Sequence, residues 1–165
     1  MRRLFNAAFL YTILGLAGGL FYRELTHINR FTGDTQLAVV HTHFLVLGMA
    51  FFLIVMLLER AFTLSESKLF NWFFWIYNAG LIWTVGFQTF NGSMTVLGTP
   101  NSSAIAGMSG LGHILLTVAL ILLFIGLRSR VLAPAQEPAQ TTRPARQGGR
   151  RADLSEGSTA GELPL

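Results

Sequence analysis

No cysteine occurs among the 165 residues. Disulfides, thiolate metal sites and cysteine-ligated iron–sulfur clusters are therefore excluded. Charge is scarce as well. Only 12% of the residues are Asp, Glu, Lys or Arg, about half of what a water-soluble domain carries. The scarcity is uneven: no charged residue falls in 4–22, 37–58, 69–90 or 108–127. No carboxylate thus lies inside any of these runs, and a buried acid–histidine proton relay lacks its acid.

What remains is apolar, with 52% of the chain hydrophobic. Four uncharged runs of about 20 residues have the length a helix needs to cross hydrocarbon. In lipid a helix satisfies its backbone polar groups within itself. The sequence predicts an all-α membrane protein, a four-transmembrane-helix antiparallel bundle over 1–130 with a disordered tail over 131–165. The tail is dominated by Pro, Ala, Gln, Gly, Arg and Ser and shows no apolar periodicity. The first run follows Arg2 and Arg3. It is longer than a signal-peptide core and no A-x-A site follows, so it reads as a retained helix.

The N-terminus, the 59–68 connection and the tail with Arg128 and Arg130 carry 2, 2 and 6 of the 12 Lys and Arg; the 23–36 loop has 2 and the 91–107 loop none. The positive-inside rule then puts both termini in the cytoplasm and the chain in the inner (plasma) membrane. The same distribution explains a sequence pI of about 10.3 without a nucleic acid as partner. The partner that composition does imply is the lipid bilayer.

Small residues give each helix a packing face. Tyr11, Gly15, Gly18 and Tyr22 share one stripe of the first helix, where a neighbouring backbone or a flat ligand can come close. In the aromatic third helix, Asn71, Trp75, Asn78, Ile82 and Thr89 lie near one stripe, expected to face the bundle. Asn78, near mid-membrane, needs a hydrogen-bond partner there.

The ionisable residues inside the runs are histidines: His41 and His43 in the second and His113 in the fourth. Such residues in a membrane span default to a functional role. His41 and His113 each start about 6–8 Å below the outer boundary, from the helical rise per residue. They are placed to meet across the bundle as the axial pair of a b-type haem. A C-x-x-C-H attachment is impossible without cysteine. His41 and His43 point about 200° apart around a helix, so one ligates while the other bonds elsewhere. His41 with His113 is the favoured pair and His43 the substitute ligand. Gly48, on the stripe of His41, clears room for a macrocycle. Arg23 and Arg30, in the outward loop, are placed to reach haem propionates. Zinc or copper is a lesser option, because that angle keeps both histidines from one small ion. Histidines that only tie helices together are the bland alternative.

The stretch 1–130 resembles a family of small, uncharacterised four-span bacterial membrane proteins of unknown function. The matching pieces are Gly-Leu-Phe-Tyr-Arg-Glu at 19–24, Phe-Thr-Gly at 31–33, Val-Val-His-Thr-His-Phe-Leu-Val-Leu-Gly-Met at 39–49 and Gly-Leu-Gly-His-Ile-Leu-Leu at 110–116. The His41-Thr42-His43-x-x-x-x-Gly48 helix is similar, more distantly, to a haem-bearing helix of the haem–copper oxidase and nitric oxide reductase catalytic subunit. There a histidine early in the helix ligates low-spin haem, matching His41 by position. The chain has far fewer helices, no evident copper-site trio and no H-P-E-V stretch. The resemblance implies haem binding and does not imply oxygen or nitric oxide reduction.

The expected function is one-electron transfer or sensing of a diatomic gas by a b-type haem near the outer face. One haem near one face does not span the bilayer, so a membrane redox partner or a quinone is required. A bundle this small leaves surface for a partner subunit or a homo-oligomer. The alternative is a non-redox accessory or assembly protein. Colour separates the two.

Overall fold

The computed structural model describes residues 1–99 and 103–132, without the side chains of 103–106 and 109. The predicted disordered tail lies almost wholly outside the described residues. Four long helices account for nearly all of the rest: α1, Arg2–Ile28; α2, Leu37–Phe62; α3, Lys68–Val96; and α4, Ser103–Val131. No strand occurs among the described residues.

Each helix outruns its apolar run. α1 continues past Tyr22 through Arg23 and Glu24 to Ile28. The stretch 91–107, expected as a loop, is helical at both ends. The cause is simple. No proline precedes Pro100, and charge marks where a membrane ends without stopping a helix. Helices stop where the backbone is turned. Thr63 ends α2 in the left-handed conformation (φ 48°) and returns its N–H to the Glu59 carbonyl at 2.9 Å. The Ser67 hydroxyl then caps α3, accepting from the Leu69 N–H at 3.2 Å. Between them the Glu59 carboxylate accepts the Ser65 N–H at 2.7 Å, which makes its burial tolerable.

Neighbouring helices run antiparallel and meet through glycines. A Cβ on Gly15 would lie 2.7 Å from Leu45, and one on Gly48 would lie 2.6 Å from Tyr11. Gly92 of α3 sits directly on the Leu37 backbone, and Gly112 of α4 on Thr84. Such close approach is how helices associate where lipid is as apolar as leucine. α1 packs on α2, α2 on α3, and α3 on α4. Among the described residues α1 and α4 do not pack on each other, and α2 approaches α4 only through its Phe51–Phe62 part. α1 also reaches α3, through the Tyr11–Asn78 and Arg3–Asn71 hydrogen bonds, so α1 and α4 lie on separate flanks of the central α2–α3 pair.

α1, α2 and the Gly110–Val131 part of α4 are long and apolar enough to cross a membrane. α3 falls short of that apolarity although it is 29 residues long. Its polar residues are shielded by neighbours: Thr84, Gln88 and Asn91 are all buried. The inward face of α3 is Phe73, Tyr77, Leu81, Thr84 and Gln88, which corrects the expected stripe. Trp75 and Ile82 from that stripe are 60% and 56% exposed. Large apolar side chains pay nothing to face lipid, so polar and small residues select the interior. Asn78 does find partners. Its Oδ1 accepts from the Tyr11 hydroxyl at 2.6 Å, and its Nδ2 donates to the Phe74 carbonyl at 2.6 Å.

Candidate histidine–amide site

α2 is not uniform. Residues His43–Ala50 form a π-helical segment, wider by about one residue per turn, between the α-helical stretches Leu37–Thr42 and Phe51–Phe62. Non-α backbone at membrane depth has to be satisfied by its surroundings. Here the Tyr77 hydroxyl, from α3, donates to the Leu47 carbonyl at 2.8 Å. The start of α2 is fastened to α3 as well. The Thr35 hydroxyl accepts from the Leu37 N–H at 3.2 Å and donates to the Gly92 carbonyl at 2.8 Å.

His43 opens the π segment. Its Nδ1 lies 2.9 Å from the Val39 carbonyl, which can only accept, so Nδ1 carries the proton. With Nδ1 as the donor, Nε2 is the acceptor, and the Gln88 Nε2 amide donates to it at 3.2 Å. Both nitrogens of His43 are engaged, and the ring ties α2 to α3. The tie is incomplete on the Gln88 side: its buried Oε1 has no hydrogen-bond partner among the described residues. One turn earlier the buried Thr84 hydroxyl, set in the notch of Gly112, also lacks one.

His41 faces the other neighbour. Its Cβ and Cγ come within 3.7 and 3.9 Å of where a Cβ on Gly19 of α1 would stand. The two histidines thus serve different seams, as their angular separation requires. Among the described residues the His41 Nδ1 is buried without a partner, and Nε2 has only a 3.4 Å contact with the Thr42 hydroxyl. That distance is beyond a good hydrogen bond. Of the two rings on α2, His41 is the one with nitrogens uncommitted.

His113 lies next to the Gly112 notch, and its side chain is on the exposed flank of α4. Its backbone carbonyl accepts from the Thr117 hydroxyl at 2.8 Å. His41 is on the α1 seam and His113 on a helix that α1 does not touch, so the pair does not share a helix contact. No group of three or more His, Cys, Asp or Glu side chains gathers in metal-binding range among the described residues. The space beside Gly48 is taken by the ring of Tyr11, so that glycine serves helix packing and clears no slot for a macrocycle. Arg23 and Arg30 are exposed beyond the histidine end, Arg30 in a turn at φ 51°.

Gln88, Thr84 and Tyr77 are site residues that the sequence reading passed over. The signal for Gln88 and Thr84 was present: polar groups one turn apart in a run without charge, which must be buried or bonded. For Tyr77 there was none, because its role depends on the π segment it faces. No curated protein and no solved structure matches the chain. Residues 1–130 match the family model described as Protein of unknown function (DUF2871), and the chain belongs to that family.

Proposed function

We propose that this chain is a four-span integral membrane protein that holds a b-type haem and uses it for one-electron transfer or for sensing a diatomic gas. One observation carries the proposal: His41 presents an imidazole whose nitrogens are uncommitted inside an apolar span. A buried nitrogen left without a bond costs about 1–3 kcal/mol, and an imidazole is an axial ligand of haem iron. His41 supports the reading by donor type alone, since the Gly48 space is filled by Tyr11. His41 would hold the haem, and His43 would fix the α2–α3 seam beside it through Gln88. His113 is the candidate second ligand. Its helix does not pack on α1, so this pairing calls for α4 to close toward α1 or for a second copy of the chain. Bound haem would supply a one-electron couple or a binding position for a diatomic gas. The chain in this reading lies in the plasma membrane of a bacterium with both termini cytoplasmic, beside a membrane redox partner or a quinone.

The test is an optical spectrum of the detergent-purified protein supplied with haem, oxidised, reduced, and reduced under carbon monoxide. A b-type α band lost in His41→Ala and kept in His43→Ala supports the reading. Insensitivity to carbon monoxide, lost in His113→Ala, assigns electron transfer with two histidine ligands. Sensitivity in the unsubstituted protein assigns an open site. A protein that takes up no haem overturns the proposal. The non-redox accessory reading then takes its place, and it has its own observation: the His43–Gln88 bond already makes one of these histidines a helix tie.

A further inference from the structure

The opposite end of the bundle holds a different kind of site. Arg2 and Arg3 open α1. With Ser65 of the α2–α3 turn and Phe70 and Asn71 of α3 they line a cavity of about 310 Å³. The Arg3 Nη1 donates to the Asn71 Oδ1 at 3.3 Å. No acid lines this cavity among the described residues. Of the acids at this end, Glu66 of the turn pairs with Arg130 at 2.9 Å, and Glu59 near the end of α2 accepts the Ser65 N–H. The cavity therefore combines two guanidinium charges, a hydroxyl and an amide, with no acid among its described lining residues.

A second cavity, of about 420 Å³, shares Arg3 and Phe74 with the first and continues along the seam between α1 and α3. Its far walls are Leu10, Trp75 and Ile82, and the Tyr11–Asn78 pair lines it. Leu10, Trp75 and Ile82 are each more than half exposed, at 51%, 60% and 56%. Large apolar residues open to the outside here lead away from a cationic mouth. Guanidinium groups match phosphate oxygens in geometry and charge, and an open apolar groove matches an acyl chain.

We propose that this end binds an anionic glycerophospholipid, its phosphate against Arg2 and Arg3 and one acyl chain along the α1–α3 groove. The inference is independent of the haem reading, since no histidine lines either cavity. The occupant is set by charge complementarity together with the joined apolar groove, which a free phosphate would leave unused.

The experiment is native mass spectrometry of the full chain released from nanodiscs of mixed phosphatidylglycerol and phosphatidylcholine. Retention of phosphatidylglycerol over phosphatidylcholine is expected. The Arg2→Gln/Arg3→Gln double variant is expected to lower that retention about thirtyfold, at the usual contribution of each basic residue near an anionic surface. Arg60→Gln removes an exposed cation outside both cavities and is expected to leave retention unchanged. Leu10→Trp is expected to reduce retention of long-chain lipid while sparing a short-chain analogue. Equal retention of phosphatidylcholine overturns the headgroup site. An Arg60→Gln loss as large as that of the double variant overturns it in favour of general surface charge. An unchanged Leu10→Trp variant overturns the groove. Circular dichroism of each variant shows that the helices are intact.

Discussion

The interior of this bundle has two halves built on opposite terms. Toward the 62–68 turn it is aromatic and bonded throughout. Phe51 stacks on Tyr77 with ring centroids 4.4 Å apart, and Tyr11 stacks on Phe52 at 5.8 Å. The hydroxyls of Tyr11 and Tyr77 both donate, to Asn78 and to the Leu47 carbonyl. Toward the 23–36 loop the interior is polar and short of partners, with atoms of His41, Thr84 and Gln88 left unpaired among the described residues. The first half is what stability alone would produce. The second carries polar groups whose burial the described residues do not compensate, and such groups call for a partner such as water or a ligand.

The comparison can be broken most forcefully in the aromatic half. Phe52→Ala should cost about 3 kcal/mol or more, because Phe52 is fully buried between the rings of Tyr11 and Tyr77. Thermal or denaturant unfolding in detergent measures it. A loss under about 1 kcal/mol would mean that this half is not the anchor of the fold. Next in size, Gly48→Ala should cost about 1–3 kcal/mol, since its Cβ would stand 2.6 Å from the Tyr11 Cβ and Cγ and force α1 away from α2. Gly86→Ala, with nothing within 4 Å of its new Cβ, is the control that should not destabilise.

The finest comparison deletes one hydroxyl from each half. Tyr77→Phe removes a made bond and strands the Leu47 carbonyl of the π segment, for a loss of about 1 kcal/mol or somewhat more. Thr84→Val removes a buried hydroxyl that has no partner among the described residues. It should be neutral or slightly stabilising when nothing is bound. If it costs as much as Tyr77→Phe, the polar half is satisfied after all and the contrast fails.

Much of this architecture is legible in the charges. Runs free of Asp, Glu, Lys and Arg locate all four helices. The packing role of Gly15 and Gly18 follows from their stripe with Tyr11, and α1 does meet α2 along it. The buried face of α3 differs from the stripe its asparagines suggest, because aromatic and asparagine positions are ambiguous where the outside is also apolar. The role of Gly48 was misread for a related reason: a glycine's empty space has no owner until the facing helix is placed, and Tyr11 owns it. The pairing of His41 with His113 was argued from depth. Depth follows from rise per residue, but which seam a side chain enters does not.

By itself, the sequence determined that the chain is helical, that its helices are largely apolar, and that three histidines interrupt that apolarity, since composition and run length set these directly. The tertiary structure decided the rest. It set α1 and α4 on separate flanks, widened α2 into a π segment braced by Tyr77, and gave His43 to Gln88 while leaving His41 uncommitted. Each of these depends on the rotation and close approach of one helix against another. Those are set by side-chain fit between segments distant in the chain, such as Tyr11 in the notch of Gly48 and Thr84 in that of Gly112.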